Sequence, residues 1–169
     1  MGRQVVREAV QSWIASAQIN TLNQTFASFP KRIDFQVNSF PGQNSRAAAV
    51  VFIESEDEQR IAIGGVGNMP VGEGFGIKRV DYSIALQIFH HSLQRNAEDA
   101  MNDFDKLIDA VKTRLRQGQH TLGETNPNLI WQAAEPSISV QYGEPLTNEG
   151  GATETWCAIR FTVTEMIEQ

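Results

Sequence analysis

The sequence contains a single cysteine, Cys157, so no intrachain disulfide exists and the chain is not built around an oxidising compartment. It lacks any apolar run long enough to span a bilayer. Its first residues, MGRQVVREAVQSWIASAQ, are too polar for a signal peptide. Val6 stands where a myristoylation motif needs Ser or Thr. These features lead to the expectation of a protein made in a cytoplasm, with no membrane partner. Basic residues are also in deficit: 14 Lys and Arg against 20 Asp and Glu give a net charge of −6. Phosphate backbones need a basic face, so specific nucleic-acid binding is not expected.

Catalytic and metal signatures are scarce as well. G-x-S-x-G, H-E-x-x-H and C-x-x-C are all missing. Of the three histidines, His90 and His91 are adjacent on an expected strand, where neighbouring side chains point to opposite faces. They cannot grip one metal, and His120 brings no further ligands. The glycine-rich stretch 64–76, GGVGNMPVGEGFG, starts like a dinucleotide fingerprint. Pro70 occupies the third glycine position, and a strand follows where a helix is required. Cys157 falls on a core face, as a buried inert thiol does. No catalytic residue, cofactor or metal is therefore expected, and the chain is read as a non-enzyme.

What is present is a scaffold. With 41% hydrophobic and 20% charged residues over 169 positions, the composition is that of a globular protein, and one domain over 1–169 is the expectation. Val80, Tyr82, Ile84, Leu86 and Ile88 alternate as in a strand with one buried face. The period changes at Asn96. Ala97, Ala100, Met101, Phe104, Leu107, Ile108, Val111 and Leu115 then make a helical stripe. Asn96 is the expected N-cap and Gly118 the expected closing residue. Residues 3–18 predict an N-terminal amphipathic helix with Val6, Ala9, Val10, Trp13, Ile14 and Ala17 on its apolar side.

The remaining strands are read from alternation and turn residues. Residues 46–64 predict a hairpin with one arm at Ala47–Ser55, an acidic tip at Glu56-Asp57-Glu58-Gln59 and a return arm at Arg60–Gly64. The tip lacks the ligand spacing of a calcium loop. Residues 19–45 are rich in breakers, with only a short strand possible near Ile33–Val37. Ile138, Val140 and Tyr142 mark another strand, Gly143–Gly151 a loop, and Thr153–Ile167 the last strand. The fold expected is α+β, a mainly antiparallel sheet with the long helix packed across it. Val66, Met69, Val71 and Phe75 on the glycine loop, and Trp156 on the mixed face of the last strand, are the candidate interface residues.

The order helix, hairpin, glycine loop, long strand, long helix and two final strands resembles the tail terminator and tail-completion (neck) proteins of long-tailed bacteriophages. The segments that carry the resemblance are RVDYSIALQIFHHSLQRNAEDAMNDFDKLIDAVKTRLR, ISVQYGEP and TETWCAIRFTVTEMI. The resemblance lies in layout over residues 3–167 and not in signature residues. It implies a structural virion protein of the tail, assembled in the host cytoplasm. Copies would form a homo-oligomeric ring, typically a hexamer, at the head-proximal end of the tube. The ring would stop tube growth and join tail to head, its partners being the tail tube protein and a head–tail connector or neck protein. A neck adaptor or tube subunit of the same virion is the near alternative. A small ligand-binding protein or enzyme using the 64–76 loop as a lid, with Asp81, His90 or His91 in its site, is the alternative of another class.

Overall fold

Three long strands dominate: apolar residues alternate along Val80–Ile88 and Cys157–Val163, and a continuous apolar run fills Ala47–Ile53. The computed structural model describes residues 2–63, 76–117, 129–131, 138–148 and 150–168. Within them, β2 (Ser45–Ile63), β3 (Gly76–Ser92) and β7 (Thr153–Glu168) lie side by side, β3 in the middle and antiparallel to both. The short β4 (Leu129–Trp131), β5 (Ser139–Tyr142) and β6 (Leu146–Thr147) pair in turn along the outer side of β7. The first strand, β1 (Leu22–Phe26), pairs with β2 in parallel, so the sheet is mixed. With helices α1 (Arg3–Ala15) and α2 (Ala97–Arg116), the architecture is α+β.

Both helices lie on one sheet face. Val6, Val10 and Ile14 of α1 and Phe104, Leu107, Ile108, Val111 and Leu115 of α2 form one buried cluster with Ala47, Ala49 and Val51 of β2. Tyr82, Ile84, Leu86 and Ile88 of β3 and Cys157, Ile159, Phe161 and Val163 of β7 complete it. The two helices are clamped together by Arg114. It donates from Nε to the Trp13 carbonyl at 3.1 Å and from Nη2 to Ser16 Oγ at 2.7 Å, with its guanidinium 3.7 Å above the indole.

Several expectations are corrected. Glu56–Gln59 is not a hairpin tip but the middle of β2, and the hairpin partner is β3: Glu56 stands opposite Tyr82 and Gln59 opposite Arg79. Strand conformation tolerates these charges because they are exposed and find cross-strand or helical partners. Glu58 pairs with Lys78 at 2.7 Å and Glu56 with Arg3 of α1 at 2.6 Å. A bulge between Ile53 and Ser55 makes the second pair possible. One extra residue, Glu54, shifts the parity of β2, so Glu56 joins the helix side that Val51 and Ile53 occupy.

Near Ile33–Val37 the chain makes a turn at 35–38 and no strand, whereas β1 forms just before it. Asn96 occupies the N-cap position of α2, yet its side chain donates to Asp99 Oδ2 at 3.3 Å and accepts no first-turn amide. The loop expected at Gly143–Gly151 contains the two-residue β6. Gly118, and Val66, Met69, Val71 and Phe75 of the glycine loop, lie outside the described residues.

Candidate functional site

The face of the sheet away from the helices is the part whose chemistry is not accounted for by folding alone. Its composition follows from the registers. Successive rows across β2, β3 and β7 are Arg46–His91–Glu154, Ala48–Phe89–Trp156, Val50–Gln87–Ala158 and Phe52–Ala85–Arg160. Small residues in these rows are buried by their neighbours: Ala48, Val50 and Ala85 are inaccessible and Ala158 nearly so. Large apolar residues at the sides of these rows are not. Phe52 is 47% exposed and Trp156 is 39% exposed. At one end the segment that follows β1 crosses the face. Phe29 meets Phe89 edge-on with centroids 6.1 Å apart, and Phe35 stacks on His91 at 5.3 Å. This segment exposes Phe29 and Phe40, each by more than half, among exposed Lys31, Arg32 and Asp34.

Trp156 is held by a glycine. Gly143 follows β5, donates its amide to the Trp156 carbonyl at 2.9 Å, and lies beneath the indole. A Cβ at position 143 would come within 2.1 Å of indole Cε2 and Nε1, so only glycine lets the ring lie down across the strand pair. The indole then walls a pocket of about 170 Å³ with Ile33, Phe35, Phe89, Leu146, His90, Thr155 and Glu154. Its lining is chiefly apolar.

The polar candidates separate. His90 is turned to the helix side, stacked on Phe104 at 5.2 Å, with Nδ1 3.1 Å from Thr155 Oγ1. Burial lowers its pKa to about 4, so the imidazole is neutral near neutral pH. His91 points the opposite way, its Nδ1 3.5 Å from Glu154 Oε1. Asp81 accepts from Arg79 Nε at 2.9 Å and from Thr164 Oγ1. Asp81, His90 and His91, the residues proposed for a lidded ligand site, thus serve separate contacts. Cys157 is fully buried, and burial alone pushes its thiol up to about 12. A thiol so hard to ionise is a poor nucleophile.

Further along the same face Arg160 grips Glu54, with Nε 2.9 Å from Oε2 and Nη2 3.0 Å from Oε1, and donates to Gln141. Among the described residues no group of three or more His, Cys, Asp or Glu is arranged to hold a metal ion. No helix among them is long and apolar enough to cross a membrane. Of the interface candidates read from sequence, the structure positions Trp156. Phe52, Phe29 and Phe40 are further exposed aromatic residues that the sequence reading does not single out. Phe52 carries the signal that could have found it, since it lies on the face of β2 opposite Val51 and Ile53.

No protein-family model matches the chain, and no curated protein matches it. Among solved structures it is similar to the sheath/tube terminator of an extracellular contractile injection system in its extended state. The identity is 8%, the TM-score 0.29, and the alignment covers 93% of this chain and 55% of the other. The chain spans about half the length of that terminator, and a superposition this loose carries no argument about role.

Proposed function

We propose that this chain is a structural subunit of a long-tailed phage, a tail terminator that closes into a ring at the head-proximal end of the tail tube. The observation that carries the reading is the helix-free sheet face, with Trp156 and Phe52 partly exposed on it and exposed Phe29 packed against Phe89 of the same face. Monomers rarely expose apolar side chains grouped on one face, and such groups mark surfaces for other proteins. Aromatic residues fixed before binding lose little entropy on contact, which suits them to anchor an interface.

A ring built of head-to-tail contacts needs two unlike complementary patches on each subunit. The sheet face is one. Val66, Met69, Val71 and Phe75, which precede β3, are the candidates for the other. The layout that resembles tail terminators supports this reading, and six copies is the ring size it favours. The chain acts through surfaces in this account and performs no reaction.

Deletion of the gene, followed by electron microscopy of the particles, tests it. A terminator predicts tails of irregular and often excessive length that fail to join heads. Absence of tails would assign the chain to the tube itself. Normal tails joined to normal heads would sink the structural reading.

A further inference from the structure

Arg46 is the buried cation of the described residues. It is 9% exposed, and its Nε and Nη1 are both buried without a hydrogen-bond partner. Three other arginines of the strands and helices find a carboxylate. Arg3 meets Glu56, Arg160 meets Glu54, and Arg79 meets Asp81. Among the described residues no carboxylate oxygen comes within 4 Å of the Arg46 guanidinium, although Arg79 and Arg160 of the sheet each reach one within 3 Å. A lysine in such a place could shed its proton, but a guanidinium cannot. Its charge therefore remains, and a buried charge without an opposite one is strongly destabilising.

The surroundings add a second orphan. His91 is the cross-strand neighbour of Arg46 on the same face, and its Nδ1 is also buried without a hydrogen bond, 3.5 Å from Glu154 Oε1. Phe35 stacks on the His91 ring and limits access of bulk water to it. Three buried nitrogens without hydrogen bonds thus lie on two adjacent residues, and the two on Arg46 also lack a carboxylate within 4 Å. Water could satisfy their hydrogen bonds but not the charge. Nη2 is not among the sealed atoms of Arg46, so an approaching group reaches the guanidinium along its Nη1–Nη2 edge.

We propose that Arg46 anchors a recessed oxyanion site, taking a carboxylate or phosphate group that supplies the missing negative charge. The group comes from a second copy of this chain, as an Asp or Glu side chain, or from solution as a small anion. Planar guanidinium matches either group through paired N–H donors. The site does not depend on the chain's being a tail protein.

Thermal unfolding of the purified chain tests the site, with sodium phosphate or sodium acetate compared against sodium chloride at equal ionic strength. Wild type is expected to show a saturable rise of about a few degrees in its midpoint with phosphate. Arg46→Met, which keeps the apolar stem and removes the charge, is expected to lose that response. Should Arg46→Met fail to fold, Arg46→Gln serves in its place. Sedimentation velocity identifies the source. Self-association that Arg46→Met abolishes and phosphate competes away assigns the oxyanion to a second copy. A saturable midpoint shift without any change in association assigns it to a free anion. Equal response of wild type and variant to every salt, together with equal association, would overturn the proposal.

Discussion

Gly143 and Trp156 constrain each other, and the pair is the simplest place to perturb the candidate surface. Gly143→Ala puts a methyl where the indole lies, so the ring must leave its position over β5. The expected cost is about 1–3 kcal/mol in urea unfolding, the range for forcing an extra carbon into a packed site. On the helix side, Phe104 is 1% exposed and packs against His90 and Tyr142. Phe104→Ala should destabilise the chain by about 3–5 kcal/mol, measured the same way. His90 gives a pH dependence. Its pKa is lowered to about 4 in the fold and rises toward the ordinary histidine value on unfolding.

Between those values the unfolded chain binds the proton that the folded chain refuses. Stability attributable to His90 is therefore intact above about pH 6.5, falls as pH drops toward 4, and is flat below that. His90→Gln should unfold with a shallower loss over this window than wild type, in urea titrations at stepped pH. Much of this residue chemistry was readable in advance. Period-two spacing put Cys157 on a core face and separated His90 from His91. The burial that makes His90 neutral was not readable, because it depends on Phe104 arriving from a distant helix.

At the scale of elements, the β2–β3 ladder is the frame on which the surfaces hang. β1 covers β2 only from Ala47 to Val50, while β3 pairs along the strand from Ser45 to Ile63. Amide protection from exchange should therefore be strong and continuous through Val80–Ile88 of β3, which has a partner on both sides. Over Ser55–Arg60 of β2 it should alternate, because every second amide points away from β3. Uniformly fast exchange over Ser55–Arg60 would contradict the strand and restore a loop there. Sequence pattern and structure differ here for a physical reason. Four acidic or amide residues in a row look like a turn, but a strand exposed on both faces has no apolar face to display. β1 is not displayed by the sequence for a related reason. Asn20 and Asn23 read as breakers, yet the Asn23 side chain ties the neighbouring segments together, donating to the Asn38 carbonyl at 3.0 Å and accepting from the Ala47 amide at 3.3 Å. The helical stripe of α2 was legible because its apolar residues recur at three and four, and those at 100, 104, 107, 108, 111 and 115 are the ones buried.

Considered whole, the chain has two sheet faces with different fates. One is sealed by α1 and α2. The other carries Trp156 and Phe52 on a rigid sheet. That difference was only half visible in the sequence. Alternation in β7 separated the two faces, but the bulge at Glu54 and the glycine beneath Trp156 are properties of pairing, which no single strand displays. The central claim is that this face serves a closed ring at one end of a tail. Electron microscopy of particles carrying a small C-terminal tag on this chain, decorated with a tag-binding antibody fragment, tests it most directly. The account predicts decoration confined to the head–tail junction, as one ring of six-fold symmetry. Decoration along the length of the tube, or particles without any, would contradict it.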